Sequence, residues 1–565
     1  MRTRSAAAPL YSLALTLAVT APLFTPGYLL LRDAVSTPRS YLSDSALGLS
    51  QAAPRALPQD YAVALASALL DGGVVVKTLL ILGLWLAGWG AARLTACVLP
   101  DAGVAGQCVA ATIAIWNPYV AERLVQGHWS LLVGYGCLPW VAATILKLRG
   151  ESPSRFGGNE FSLLFWIALA GLTPTGLILA AVIALVSGLA PGGGRSRTYC
   201  ALVSVGAATT AALPWLVASV VAGGWASTAD DSGVAAFAAR AEPGLGTLGS
   251  LASLGGIWNA DVVPGSRTTL FALLSAAVLL TVVAVGVPLL LRRRRAVPLL
   301  VLAAAAVVLP AVMATGPGLA VLESLVRAAP GLGMLRDGQK WVALAVPAYT
   351  LAGAAAVIAL RPRIPAAATA AVSCAALVAA LPDLAWGVGG QVSPVQYPPG
   401  WSAAAAIINA DPRPVAVLPV DSMRQFTWAG EAPVLDPLPR WVRADVFSTG
   451  DLNISGHTVR GEGAYAREVQ RLLISGADRG RLAAAGVGWV VVEGPTPGLA
   501  LPVAYSDADV TVYAVGGDAP APAHRSLMLA AHAVWLSQLG FGLGGMLVAR
   551  LRRRPSRALP PTPSQ

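Results

Sequence analysis

The chain has 565 residues, 56% of them hydrophobic and only 12% charged, with a mean hydropathy of +0.65. Soluble globular proteins carry about a quarter charged residues, so these figures exclude that class and define a polytopic membrane protein. The net charge of +11, with 39 Lys and Arg against 28 Asp and Glu, would suggest a nucleic-acid partner in a soluble protein. In a membrane protein it is first an orientation signal. The five cysteines (Cys97, Cys108, Cys137, Cys200 and Cys374) all lie in apolar runs, which excludes a disulfide scaffold.

Spans of about bilayer length are expected at 9–31, 74–96, 103–120, 130–147, 161–173, 175–190, 198–221, 270–291, 296–314, 341–360, 365–382 and 526–549. The first follows Arg2 and Arg4. Because it continues to Leu31 and the alternation of sides needs it, it reads as a span, not a cleaved signal. The fifth and sixth are short and meet at Thr173-Pro174-Thr175-Gly176, a breaker cluster that predicts a hairpin of two half-length helices.

With the N-terminus inside, alternation puts basic residues in every short cytoplasmic loop. These are Arg93; Lys147, Arg149 and Arg155; Arg195 and Arg197; Arg292 to Arg295; Arg361 and Arg363; and Arg550, Arg552, Arg553, Arg554 and Arg557. With Arg2 and Arg4 they make 19 basic residues against Asp101, Glu151 and Glu160. The expected architecture is an α-helical polytopic membrane protein of about 12 transmembrane helices with a small extracytoplasmic α/β domain. Residues 1–382 form the membrane domain, with outer loops 32–73, 222–269 and 315–340. Residues 383–525 form the α/β domain, 526–549 the last membrane helix and 550–565 a basic cytoplasmic tail, so both termini are cytoplasmic. Within 383–525, strands are predicted at 414–420, 487–493 and 510–515 and a helix over 464–485, ended by Gly486.

Ionisable residues near membrane depth are costly and point to function. Four groups stand out. Arg32 and Asp33 leave the first span and are followed by Asp44, Arg55 and Asp60; Lys77 opens the second span after Asp71. The segment WNPYVAERLVQGHWSLLVGYGCLPW (116–140) crowds Glu122, Arg123, Gln126 and His128 into a short turn, and GMLRDGQKW (333–341) brings Arg336, Asp337, Gln339 and Lys340. Snorkelling or an aromatic interface belt explains Arg32, Lys77 and the tryptophans taken singly. It explains less well why all four groups fall on the outer side. A carboxylate there offers a general base, and cations at a helix start offer an anion site.

There is no Walker loop and no HExxH, and His128, His457, His524 and His532 have no metal-ligand spacing with the cysteines. Asp507-Ala508-Asp509 matches DxD but reads as a solvated turn, and the basic loops need no nucleic acid to explain them. Trp401, Trp428, Trp441 and Tyr465 are possible glycan-stacking surfaces, with core packing the commoner use of such rings.

The three motifs 116–140, LASLGGIWN (251–259) and 333–341, with an acidic first outer loop and a half-length hairpin, resemble the GT-C superfamily of polyprenyl-phosphate-sugar glycosyltransferases, actinobacterial envelope type. Within it they are similar to the membrane region of arabinofuranosyltransferase D and its smaller relatives. The resemblance covers 1–382 and, more loosely, the soluble domain. It implies transfer of arabinose or mannose from a polyprenyl-phosphate donor to an envelope polysaccharide or lipoglycan acceptor at the outer face of the plasma membrane. It also implies a first-loop acid as base: Asp33, with Asp60 and Asp44 as fallbacks. Lys77, Arg123, His128, Arg336 and Lys340 are then the candidates to hold the donor phosphate. No cofactor is implied, and the requirement for a divalent metal is left open. The alternative is a non-catalytic partner or a transporter of lipid-linked envelope glycans.

Overall fold

The computed structural model describes residues 2–50, 56–150, 157–221, 232–420, 422–454, 457–494, 498–519 and 522–552. Arg55, Glu151, Arg155, part of the 222–269 loop and the tail beyond Arg552 lie outside the described residues.

Helix α1 (Arg2–Thr20) continues through a 3-10 turn to Phe24 and is followed by two short strands, β1 (Leu30–Leu31) and β2 (Ala34–Val35). Helix α2 (Gly72–Val98) starts at Asp71, whose carboxylate accepts the N–H groups of Gly73 and Val74 at 2.9 and 3.1 Å and satisfies donors that a helix start leaves open. The run predicted at 103–120 is broken. Helix α3 (Gly103–Ile115) ends at Trp116, and a short helix α4 (Pro118–Val125) begins at Asn117. Pro118 has no N–H with which to continue α3, and the Asn117 side chain caps the new helix by accepting Val120 N–H at 3.0 Å. Helix α5 (Trp129–Gly150) then packs along α2 so closely that a Cβ on Gly136 would stand 2.2 Å from the Gly83 carbonyl oxygen, the small-residue contact by which membrane helices gain packing.

Helices α6 (Gly158–Ala170) and α7 (Pro174–Gly188) have 13 and 15 residues and break where the sequence reading put the break. Thr173 caps α7 and Pro174 occupies its first turn. They are followed by α8 (Arg197–Val221), α9 (Phe271–Leu291) and α10 (Val297–Met313). Helix α10 bends by 94° into α11 (Gly316–Ala328). A 3-10 stretch, Gly338–Ala345, leads into α12 (Val346–Leu360), and α13 (Ala366–Ala379) bends by 77° into the segment Pro382–Gly389. The chain is thus mostly helical. Among the described residues seven helices are long and apolar enough to cross a membrane, or nine if each bent pair is one span. The difference from twelve lies in the runs cut by caps and bends: composition counts apolar residues, whereas Asn117-Pro118 and Thr173-Pro174 end helices.

Beyond α13 come α14 (Pro399–Ala410), β3 (Val415–Leu418), β4 (Met423–Arg424) and β5 (Val434–Leu435), then α15 (Ala464–Ile474) and α16 (Arg479–Ala484). Strands β6 (Trp489–Glu493), β7 (Val503–Ser506) and β8 (Val510–Ala514) precede the final helix α17 (Arg525–Arg552). The helix predicted over 464–485 is two, divided at Gly476 with φ +71°, and Gly486 at φ +70° ends the second. The sheet order is β3-β6-β8-β7, with β3 parallel to β6 and the other pairs antiparallel. Alternate residues point to opposite faces of a strand. Val415, Val417, Val491 and Val512 enter one core with Trp401 and Trp441, while Ala416, Val490, Val492 and Tyr513 enter another with Val469 and Leu473 of α15. Both faces are covered, which is why these strands read as unbroken apolar runs. Asp507 accepts the N–H groups of Asp509 and Val510 in the β7–β8 turn, so the DxD match is turn chemistry.

The sheet region is stitched to the first hairpin by backbone hydrogen bonds. Tyr28 and Val395 exchange both bonds, Arg32 N–H donates to the Pro433 carbonyl at 2.9 Å, and Leu435 N–H donates to the Arg32 carbonyl at 2.9 Å.

Candidate functional site

Asp33 sits at the tip of the β1–β2 hairpin, between strands whose register pairs Leu31 with Ala34. Its backbone N–H donates to the Gln126 carbonyl at 3.2 Å, so the hairpin lies directly on the turn that follows α4. That contact depends on Gly127. Its φ is +83°, and a Cβ there would stand 2.2 Å from Ala34 N and 2.5 Å from Leu31 O; only glycine fits both the left-handed conformation and the approach. The turn then delivers His128, whose Nε2 lies 3.0 Å from Asp33 Oδ2, while Gln126 Nε2 donates to the same oxygen at 2.9 Å.

Behind this pair lies a buried polar network. Arg123, fully buried, makes a bidentate pair with Asp337 at 2.8 and 2.9 Å, reaches His128 Nδ1 at 3.1 Å and donates to Gln339 Oε1. Gln339 in turn donates to Glu122 at 2.8 Å. Glu122 accepts the N–H groups of Gly256 and Ile257, and Glu242 accepts that of Gly256 as well and pairs with the fully buried Arg267. Lys340 Nζ stands 3.6 Å from Asp337 Oδ2. Side-chain exposure decides which member can meet a ligand: it is 39% for Asp33, 25% for Lys340 and 18% for His128, against 0% for Arg123 and 7% for Asp337.

The electrostatics follow from that geometry. Burial alone would raise the carboxyl pKa of Asp33, but the hydrogen bonds from His128 and the Gln126 amide and the charge of the Lys340 ammonium outweigh it and hold the group below its usual value. Asp337 is also held well below the usual carboxylate value, with burial opposed by Arg123 and Lys340. His128 is pushed below the usual imidazole value by burial, despite Asp33 beside it. Glu122 is driven well above the usual carboxyl range by burial and by the Glu242 carboxylate. The site at neutral pH therefore presents an ionised Asp33 beside an uncharged imidazole.

The other sequence candidates lie elsewhere. Asp44 pairs with Arg525 at the start of α17, and Asp60 pairs with Arg440 at 3.2 Å; both tie the first loop to the C-terminal part of the chain. Lys77 donates to the Thr25 carbonyl at 3.0 Å. Arg336 donates to the Gly333 carbonyl and lies 5.1 Å from the Phe237 ring centroid. Trp401 and Trp441 are core residues, and the Tyr465 hydroxyl donates to the Ala485 carbonyl. Sequence reading missed Glu242 and Arg267 as parts of the network, and it singled out Gln126, Gln339 and Asn259 only within their motifs. A charged residue at each end of the apolar loop 242–267 was the available signal. Among the described residues no group of three His, Cys, Asp or Glu side chains converges to hold a metal ion.

The fold has solved counterparts. Solved structures of arabinofuranosyltransferase AftD from Mycobacteria share it: one matches over 92% of this chain with a TM-score of 0.57 and 17% identity, and the R1389S mutant in its class 2 form gives 0.55 over the same share. The chain spans about two fifths of the length of those proteins, 40% and 42%. No family model and no curated protein sequence matches it.

Proposed function

We propose that this chain is a GT-C membrane glycosyltransferase that moves a sugar, arabinose or mannose, from a polyprenyl-phosphate donor to an envelope polysaccharide or lipoglycan acceptor at the outer face of the plasma membrane. The observation that carries the reading is Asp33: an ionised, partly open carboxylate at the edge of an otherwise buried ionic network, with Lys340 close by. The likeness of fold is consistent with it, and the sugars rest on the resemblance. In this reading the N-terminus is cytoplasmic, and the hairpin, the α4–α5 turn and residues 383–525 face outward. Asp33 takes the proton from the acceptor hydroxyl as its oxygen bonds to the anomeric carbon. The bond to the donor phosphate breaks, the electron pair leaves with the polyprenyl phosphate, and Lys340 stabilises the charge gathering there. Arg123 acts from behind, because its guanidinium is already committed to Asp337, Gln339 and His128.

The test is transfer by the purified chain in lipid nanodiscs, with polyprenyl-phosphate arabinose or mannose and an oligosaccharide acceptor. Transfer that disappears in Asp33→Asn supports the reading. Lipid binding without transfer from any donor would sink it in favour of a non-catalytic partner or transporter.

A further inference from the structure

The hydrogen bonds around Asp33 have a direction, because each of two chains of bonds begins at a group that can only donate. One begins at the backbone N–H of Asp261, which donates to Asn259 Oδ1 at 3.1 Å. The amide nitrogen of Asn259 must then face Gln126, and it donates to Gln126 Oε1 at 2.9 Å. That leaves the Gln126 amide nitrogen to donate to Asp33 Oδ2 at 2.9 Å. The other begins at the Arg123 guanidinium, clamped by Asp337 with both terminal nitrogens, one of which lies 3.1 Å from His128 Nδ1. Arginine offers no acceptor, so His128 Nδ1 carries the lone pair and the ring proton sits on Nε2. Nε2 lies 3.0 Å from the same Asp33 Oδ2. No described residue donates to Oδ1.

We infer that Gln126 and His128 are positioning residues that hold Asp33 by Oδ2, with Asn259 setting the direction of the Gln126 amide, and that Oδ1 is the atom that receives the acceptor proton. His128 works as a neutral donor, not as a cation for the donor phosphate. The role of Oδ1 rests on the glycosyltransfer reading; the bond directions do not. The charged groups around Asp33 are Lys340 and Asp337 ahead of α12, Arg123 in α4, Arg32 in the hairpin and Asp261 in the 242–267 loop.

The experiment uses the full chain in nanodiscs with ¹⁵N-labelled histidine and ¹³C-labelled aspartate. His128 is expected as the Nε2–H tautomer from about pH 7 to 8. An Nδ1–H tautomer or an imidazolium over that range would overturn the inference, whether or not transfer occurs. Gln126→Leu is expected to raise the Asp33 titration, and with it the acid limb of the pH–rate profile, by about one pH unit. Asn259→Asp is expected to raise it further, since the new carboxylate turns the Gln126 amide round and sets its oxygen against Asp33; Asn259→Leu shifts it less. His128→Gln keeps an N–H donor and holds the limb near its wild-type position, whereas His128→Leu raises it. Titrations that do not move in Gln126→Leu and Asn259→Asp refute the relay. Absence of transfer from every donor refutes only the glycosyltransfer reading, because the tautomer and the Asp33 titration are read without turnover.

Discussion

The Arg123 network of the membrane region and the Arg424 network of the sheet region are built alike, with a buried guanidinium held by carboxylate partners. Arg424 joins Glu493 of β6 to Asp436 just after β5, with side-chain exposures of 4%, 0% and 10%, and burial together with Asp436 drives Glu493 well above the usual carboxyl range. That network is sealed. The Arg123 network continues through His128 to Asp33, which is open to solvent. Closure makes a charge cluster structural, whereas one exposed carboxylate at its end leaves a group that a ligand can reach. The two are joined, because β5 hydrogen-bonds to the backbone of Arg32, next to Asp33.

The sharpest way to break this comparison is at its open end. Asp33→Asn keeps the shape and is expected to lower transfer by about 10²- to 10⁴-fold with the thermal unfolding midpoint unchanged; a variant that keeps its rate would remove the distinction between the networks. Arg123→Met and Arg424→Met each strand buried carboxylates and are expected to cost about 3–5 kcal/mol, read as a lowered unfolding midpoint. Full stability in either variant would show that its network does not hold the fold. A smaller effect is expected at the cations. Lys340→Met should raise the donor KM by about tenfold, roughly one charge-assisted hydrogen bond, whereas Lys77→Met, whose ammonium meets the Thr25 carbonyl, should leave it unchanged. Donor titrations of the two variants decide between them.

The smallest effect tests the junction of the two regions. Burial, with Asp44 nearby, pushes the Asp445 carboxyl up to about 6, and its Oδ1 has no hydrogen-bond partner. A carboxyl raised in the folded state prefers to be protonated there. Its ionisation therefore costs stability progressively from about pH 4 to 6, and fully above that. Asp445→Asn should raise the unfolding midpoint by a few degrees at pH 7 and hardly at pH 4; equal shifts at both would contradict the burial of this group.

Much of this was legible in the chain itself wherever the physics is local. Apolar runs predicted the membrane helices, and Thr173-Pro174 marked the break between α6 and α7. The strands at 414–420, 487–493 and 510–515 appeared as β3, β6 and β8. The crowding of Glu122, Arg123, Gln126 and His128 flagged the buried polar network. The different surroundings of Asp33, Asp44 and Asp60 were not legible, because they depend on which cation each meets: Arg525 for Asp44 and Arg440 for Asp60. Nor was the number of long helices, since a run of apolar residues does not record the cap inside it.

The sequence by itself determined a polytopic membrane chain with acidic and basic residues gathered near four helix ends, because desolvation cost and helix capping act within a few residues. Only the tertiary structure decided that Arg123 closes on Asp337 across 214 positions and that Gly127 lets a hairpin settle on the α4–α5 turn. It alone placed Asp33 at the exposed edge of that buried network. Those outcomes are set by packing between distant segments, which no local pattern encodes.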